Sequence, residues 1–386
     1  MKRLYQVTSV HRGDDTRIAK MCKALEGAGH DVTVLALTDG VAVKPEGSWK
    51  IQSYGKPSRI RLARLLQQPA LWRLLHNAAP HAIQFHDPEL LPLMLWLAGS
   101  KGRRRKIVYD MHENVAASLR DRGCSEFVAR TYEFFLRIAE RRLWITLAED
   151  SYRELVDQPW PVIHNYPCAQ DVAKQSDRRQ AVYIGDVSKM RGAVEMLHAF
   201  ALAGLKDWKL AIIGPCNEPG TEELLISESR RLGLADRFVR VGAIPPVQVK
   251  DCLAASSIGL AVLHPLRNYV ACPPGKVFEY ALAGLPAIVS DFSHYRNCFG
   301  VLPSVSFVDP LDVHAIAKAL KRTAENLENL EADCARSREI AALQYSWNSE
   351  AIRVGAMFDL LLEAPADCGR ERYLAAFVPN RGESIP

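Results

Sequence analysis

Compact apolar runs alternate with amphipathic stretches along nearly the whole chain. In the first half the runs are Leu4–Ser9, Asp31–Leu37, Ala82–His86, Lys106–His112 and Trp144–Ala148. In the second half they are Ala181–Gly185, Lys209–Gly214, Phe238–Gly242, Ile258–Leu263, Pro286–Ser290 and Val305–Val308. Near-continuous apolarity, without in–out alternation, predicts strands covered on both faces, and the helical stretches between them predict parallel crossovers. The pattern occurs twice, so the fold class expected is α/β, with two doubly wound, Rossmann-like domains.

The interruption falls at Trp160-Pro-Val-Ile-His-Asn-Tyr-Pro167, where two prolines precede a polar stretch reaching Arg179. The expected domains are residues 1–165 and 166–345. Ser346-Trp-Asn-Ser-Glu350 reads as the cap of a helix over 346–363, and the Pro- and Gly-containing tail 364–386 reads as irregular. On the stretch after Pro274-Gly275, Lys276, Glu279, Tyr280 and Ala283 recur at helical spacing until Gly284 stops the helix. A cation and a carboxylate thus share one face in the first turns, where backbone N–H groups favour an anionic ligand.

Composition narrows the class. With 386 residues, 48% apolar and 24% charged, the chain is ordinary for a soluble protein of two domains. The N-terminus enters a strand pattern directly, and the longest apolar run, Leu90 to Gly99, is too short to span a bilayer. Nine scattered cysteines without Cys-x-x-Cys spacing predict reduced thiols and a cytoplasmic setting, against a zinc site or a disulfide framework. Residues 1–160 carry 25 basic and 18 acidic side chains, against 24 and 26 in the remainder. The first half should therefore meet an anionic partner. The basic, leucine-rich stretches Arg59–Leu66 and Phe127–Trp144, with Arg103-Arg-Arg-Lys106, suit an anionic membrane surface, or else helices with a core stripe and a solvated basic face. Nucleic acid is not expected, because no recognition motif accompanies the charge.

In doubly wound sheets ligands bind beyond the carboxyl ends of the strands. The first strand ends in His11-Arg-Gly-Asp-Asp15-Thr-Arg17, another in His86-Asp87-Pro-Glu89, and a third in Asp110-Met-His112-Glu-Asn114. Asp87 and Asp110 have the alternative of capping a following helix. In the second half Tyr183-Ile-Gly185-Asp-Val-Ser-Lys189-Met-Arg191-Gly192 closes a strand and opens a helix, and Gly214-Pro215 closes the next. No Gly-x-Gly-x-x-Gly follows the first strand, which disfavours a dehydrogenase.

Pro-x-Lys-x-x-Glu-Tyr-x-x-x-Gly-x-Pro-x-x-x-Ser-Asp over 274–291 resembles the nucleotide-sugar motif of the family 4 glycosyltransferases, which have the GT-B fold. Asp-x-Arg-Ile at 15–18, His-Asp-Pro-Glu-Leu-Leu-Pro at 86–92 and Tyr-Asp-x-His-Glu-Asn at 109–114 resemble the first half of the same family. The resemblance implies two Rossmann-like domains facing a cleft, with a final helix crossing back to the first. It implies a retaining, metal-independent transfer of a sugar from a nucleoside-diphosphate sugar to a glycan or lipid-linked acceptor, in surface polysaccharide biosynthesis, with no cofactor beyond the donor. Localisation would be cytoplasmic, with peripheral attachment to the inner face of the membrane.

Carried over residue by residue, the resemblance gives His112, Arg191 and Lys276 catalytic roles. Donor contacts fall on Gly185, Arg191, Gly214, Arg267, Lys276 and Glu279, and the acceptor cleft on Asp15, Arg17, His86 and Asp87. Two positions depart from the pattern. Asp186 stands where many relatives have Arg, and Ala271 stands where most have a sugar-binding Glu. These departures keep two other readings open: a non-catalytic sugar-nucleotide-binding subunit, and a nucleotide-sugar epimerase on the same fold.

Overall fold

A computed structural model describes residues 1–11, 15–39, 47–99, 106–121, 123–169, 172 and 179–363, with residue 374 besides. Arg12, Gly13 and Asp14 of the first loop, Arg103 to Arg105 of the basic stretch, most of the polar stretch before Arg179, and nearly all of the tail lie outside the described residues.

The chain forms two compact units. One comprises Met1–Asn165 with the stretch from Glu350, and the other Tyr166–Ser349. Unit one holds β1 (Arg3–Val7), β2 (Asp31–Leu37), β3 (Lys50–Gly55), β4 (Ala82–Phe85), β5 (Lys106–Met111) and β6 (Trp144–Leu147). Unit two holds β7 (Gln180–Ile184), β8 (Lys209–Ile213), β9 (Phe238–Val241), β10 (Ile258–Ala261), β11 (Ala287–Ser290) and β12 (Val305–Val308). Strand orders are β3-β2-β1-β4-β5-β6 and β12-β11-β10-β7-β8-β9. Every pairing is parallel. Both sheets therefore follow the doubly wound order in which the winding reverses between the first and fourth strands, here β1/β4 and β7/β10.

The eleven runs read from the sequence all appear as strands, two with the same bounds and the other nine trimmed by one or two residues at the carboxyl end or shifted by one at the start. β3 was not among them. It lies at a sheet edge with most of its residues at least partly exposed, so its sequence, Lys-Ile-Gln-Ser-Tyr-Gly, carries no apolar run.

Why the strands read as continuous apolar runs is clear in β7. Ala181 and Tyr183 join the core that includes Leu197, Phe200 and Leu210, whereas Val182 and Ile184 join the one that includes Val277, Phe278 and Tyr280. Successive side chains point to opposite faces, and here both faces are covered.

The last helix, Trp347–Glu363, begins where expected, and the Ser346 hydroxyl donates back to the Ala342 carbonyl at 2.7 Å. From Glu350 onward the helix belongs to unit one, with Val354, Met357, Phe358 and Leu361 fully buried. Glu350 lies 3.3 Å from His164, Asp359 lies 3.3 Å from His30, and the Leu362 carbonyl accepts from Lys106 Nζ at 2.8 Å.

Candidate functional site

In unit one, the switch point between β1 and β4 carries a buried charge network. Arg17, in the first turn of the helix Thr16–Gly27, donates from Nε to Asp110 Oδ2 at 2.8 Å and from Nη2 to Oδ1 at 2.7 Å. Its Nη1 donates to the Ile163 carbonyl at 3.0 Å. Asp110, on β5, also accepts from Thr146 at 2.9 Å and faces His86 Nδ1 at 3.0 Å. Burial disfavours the Asp110 charge, yet the guanidinium beside it holds the carboxyl well below the usual range. The other His86 nitrogen meets Gln6 Oε1 at 2.8 Å, so both ring nitrogens are occupied.

Neither aspartate caps a helix. Asp87 Oδ2 accepts from Thr8 Oγ1 at 2.8 Å and the Ser9 amide at 2.6 Å, which fastens the loop leaving β1 to the end of β4. Asp15 is the cap instead, accepting from the amides of Arg17 and Ile18 at 2.9 and 3.2 Å.

Above this network opens a pocket of about 190 Å³ whose walls include Asp15, Arg17, His86 and His112. Of the acceptor-cleft residues expected from the sequence, Asp87 is buried beneath it, whereas Arg17 and His86 reach its wall while bound to Asp110. Sequence reasoning did not single out Glu149, Tyr152 and Asn165, which also line it. Glu149 follows β6, so the strand-end rule that selected His112 pointed to it as well. Burial pushes its carboxyl up to about 7.

His86, Asp110 and His112 each bring one ligand atom to within 4.8 Å of the others. The donor set does not fit a metal ion. Both Asp110 oxygens already accept from the Arg17 guanidinium, so a cation would have to enter beside a buried positive charge.

In unit two, the ends of β7 and β8 meet the helix Lys276–Leu282. Gly185 has φ +143°, and a Cβ there would sit 3.0 Å from Lys276 Nζ. Gly214 has φ +139°, and a Cβ there would sit 1.9 Å from the Gly185 carbonyl oxygen. Neither position tolerates a side chain. Tyr280 anchors the helix from beneath, its hydroxyl donating to the Leu260 carbonyl at 3.1 Å.

Lys276 Nζ lies 4.1 Å from the centroid of the Tyr183 ring. Burial, and then the nearby Arg191 charge, push this amine down to about 7, while Glu279 and Asp186 act the other way. Arg191 lies 5.4 Å from the Tyr269 ring centroid, with Nε 3.6 Å from Asp186 Oδ2. The structure thus brings Gly185, Arg191, Gly214 and Lys276 to one sheet edge. Glu279 lies half-buried on the same helix as Lys276, and Arg267 is exposed at the start of the short helix Arg267–Ala271.

Residues 12–159 match the family model described as glycosyl transferase 4-like domain, and residues 169–339 match that of glycosyl transferases group 1. Compared with curated proteins by sequence, the chain gives no significant match. Among solved structures it resembles sucrose-phosphate synthase from Thermosynechococcus elongatus, with TM-score 0.72, 16% identity, and coverage of 95% of this chain and 100% of that one. It also resembles Anabaena HepE in complex with UDP and glucose, with TM-score 0.71, 13% identity, and coverage of 93% and 100%. WaaG, a glycosyltransferase involved in lipopolysaccharide biosynthesis, gives TM-score 0.64, 13% identity, and coverage of 91% and 99%. At these identities the likenesses speak for the fold, which is GT-B. The two family matches cover most of the chain between them, and the chain belongs to the group 1 glycosyltransferases of the family 4 type.

Proposed function

We propose that this enzyme transfers a sugar, with retention and without a metal ion, from a nucleoside-diphosphate sugar to a glycan or lipid-linked acceptor. The observation that carries the donor half is Lys276, a buried cation that no carboxylate of the described residues pairs with, set beside Arg191 where glycine clears the backbone at 185. A diphosphate supplies the anion that this arrangement lacks. During transfer, charge builds on the departing diphosphate, and fixed cations stabilise it without reorganisation. Gly214 and Glu279 would complete the donor site, and Arg267 would supply the positive charge that Asp186 replaces. HepE has been solved with UDP and with UDP-glucose, which favours a uridine donor here.

The experiment is a thermal-shift panel of UDP, GDP, dTDP, ADP and CMP on wild type, Lys276→Met and Glu279→Ala. A ligand that binds only the native state raises its melting point, by about 2.7 kcal/mol of stability at a hundredfold excess over Kd. One diphosphate should stabilise wild type and lose its effect in both variants. If none acts at millimolar concentration, the donor reading fails. The ion pair between Asp186 and Arg191 favours a second reading, a sugar-nucleotide-binding subunit without turnover. Donor consumption with EDTA present separates the two.

We propose further that unit one meets the acceptor, in surface polysaccharide biosynthesis, at a cytoplasmic membrane face. No helix of the described residues is long and apolar enough to cross a membrane. Residues 47–86 contain no Asp or Glu. Within them Ile60, Leu62 and Leu66 are 68%, 64% and 73% exposed, interleaved with exposed Arg59 and Arg61. Beside them Trp72 and Trp96 line an open apolar groove of about 420 Å³. Apolar side chains set among cations suit an anionic bilayer surface. Vesicles containing phosphatidylglycerol should sediment the protein and pure phosphatidylcholine should not. Leu62→Glu with Leu66→Glu should abolish the difference, and equal sedimentation with both lipids would overturn the membrane reading.

A further inference from the structure

The loop that leaves β1 brings a second histidine to the unit-one pocket. His11 and His112 approach through their Nε2 atoms at 3.2 Å, with ring planes 62° apart. Two ring nitrogens hydrogen-bond only when one carries a proton and the other a lone pair. The outer contacts decide which is which. His112 Nδ1 lies 3.1 Å from the Asp110 carbonyl oxygen, a pure acceptor, so that nitrogen is the N–H. Neutral His112 therefore offers its lone pair from Nε2. His11 Nδ1 lies 3.2 Å from Asp15 Oδ2, and its Nε2 lies 3.5 Å from Asp87 Oδ1 as well as facing His112. Every partner of the His11 ring among the described residues is an acceptor.

We infer that His11 is a positioning residue of the transfer site: held by Asp15 as an imidazolium, it donates from Nε2 to His112 and fixes His112 as the Nδ1–H tautomer. Its role in transfer rests on the reading of this pocket as the acceptor side; the tautomers themselves do not.

The surrounding charges agree with the geometry. His11 is raised above the ordinary histidine value, first by its hydrogen bond to Asp15 at the head of the helix Thr16–Gly27 and, against burial, by Asp87 after β4 and Glu113 after β5. His112 is lowered, first by burial and then, against Asp110, by its neighbours His86, Arg17 and His11. The pocket wall after β6 adds Glu149 and Tyr152, whose hydroxyl donates to the His112 carbonyl at 3.3 Å. When His11 becomes neutral, its remaining N–H stays on Nδ1 against the Asp15 carboxylate, so Nε2 presents a lone pair to the lone pair of His112 across the 3.2 Å contact, and the pair opens. A sugar hydroxyl entering the pocket thus meets a cation at lower pH and a freed His112 nitrogen at higher pH.

The test follows both rings by NMR in the full chain labelled with ¹⁵N-histidine, across pH 5 to 9, in wild type, His11→Gln and Asp15→Asn. Asn at 15 keeps an oxygen for the helix cap and removes the charge. Wild type should show His112 with its proton on Nδ1, His11 titrating above the ordinary range and His112 below it. In His11→Gln the His112 midpoint should rise by about half a pH unit or more, because a neighbouring positive charge is gone. In Asp15→Asn the His11 midpoint should fall. A His112 proton on Nε2, or a His112 midpoint unmoved in His11→Gln, overturns the inference. Unchanged signals from His164 and His198 report that each variant is folded, and if His11→Gln fails that check the Asp15→Asn shift decides. None of these readouts needs a donor, so they stand or fall apart from the proposed transfer.

Discussion

Enclosing the Lys276 ammonium beside Tyr183 and Arg191 costs the fold stability, because burial favours the neutral amine. The native pKa of about 7 lies below the ordinary 10.5, so the native state binds fewer protons than the unfolded one between these values. The cost is fully present below pH 7 and fades as pH rises toward 10.5. Lys276→Met should therefore raise the melting point at pH 7, with a smaller gain at pH 9, while losing the response to diphosphate. A melting point lowered at both pH values would mean that the lysine serves packing and not an anion. For wild type the sign also runs the other way through binding. A diphosphate restores the proton, so affinity should fall about tenfold per pH unit above pH 7. Lys276 was legible in the sequence because its spacing to Glu279 and the stop at Gly284 form a motif. His11 was not, since its role depends on Asp15, Asp87 and His112, which only the folded sheet brings together.

At the level of elements, the pair of Arg17 and Asp110 ties the first helix to β5 while sitting under the pocket. Removing one partner of a buried pair strands the other charge, a loss of about 3–5 kcal/mol. Arg17→Met and Asp110→Asn should each destabilise unit one by that order in urea unfolding, and the double variant should lose less than their sum. Strict additivity would show that the two groups act separately. The sequence suggested Arg17 for the acceptor and left Asp110 as a strand-end polar group with helix capping as its alternative, since nothing in linear spacing tells that residues 93 apart share two hydrogen bonds. Strand legibility had a similar limit. Strands covered on both faces announced themselves as apolar runs, whereas β3, at the edge and largely open to solvent, did not.

For the whole molecule, the repeated pattern of runs and crossovers was enough to read two doubly wound units, because parallel sheets buried on both faces leave that imprint in any sequence. What the imprint lacked was the membership of the last helix, which follows from contacts distant in sequence: Glu350 with His164, Asp359 with His30, and Leu362 with Lys106. The partition has a consequence for how the protein comes into being. Unit two is one unbroken stretch, Tyr166–Ser349, and every residue it needs has been synthesised before the final helix is. Unit one waits. Its six strands are made first, yet the apolar surface that Val354, Met357, Phe358 and Leu361 will cover stays open until the ribosome has added them. The half translated first is thus the half completed last, and during that interval it is the nascent chain's exposed surface for chaperones to guard.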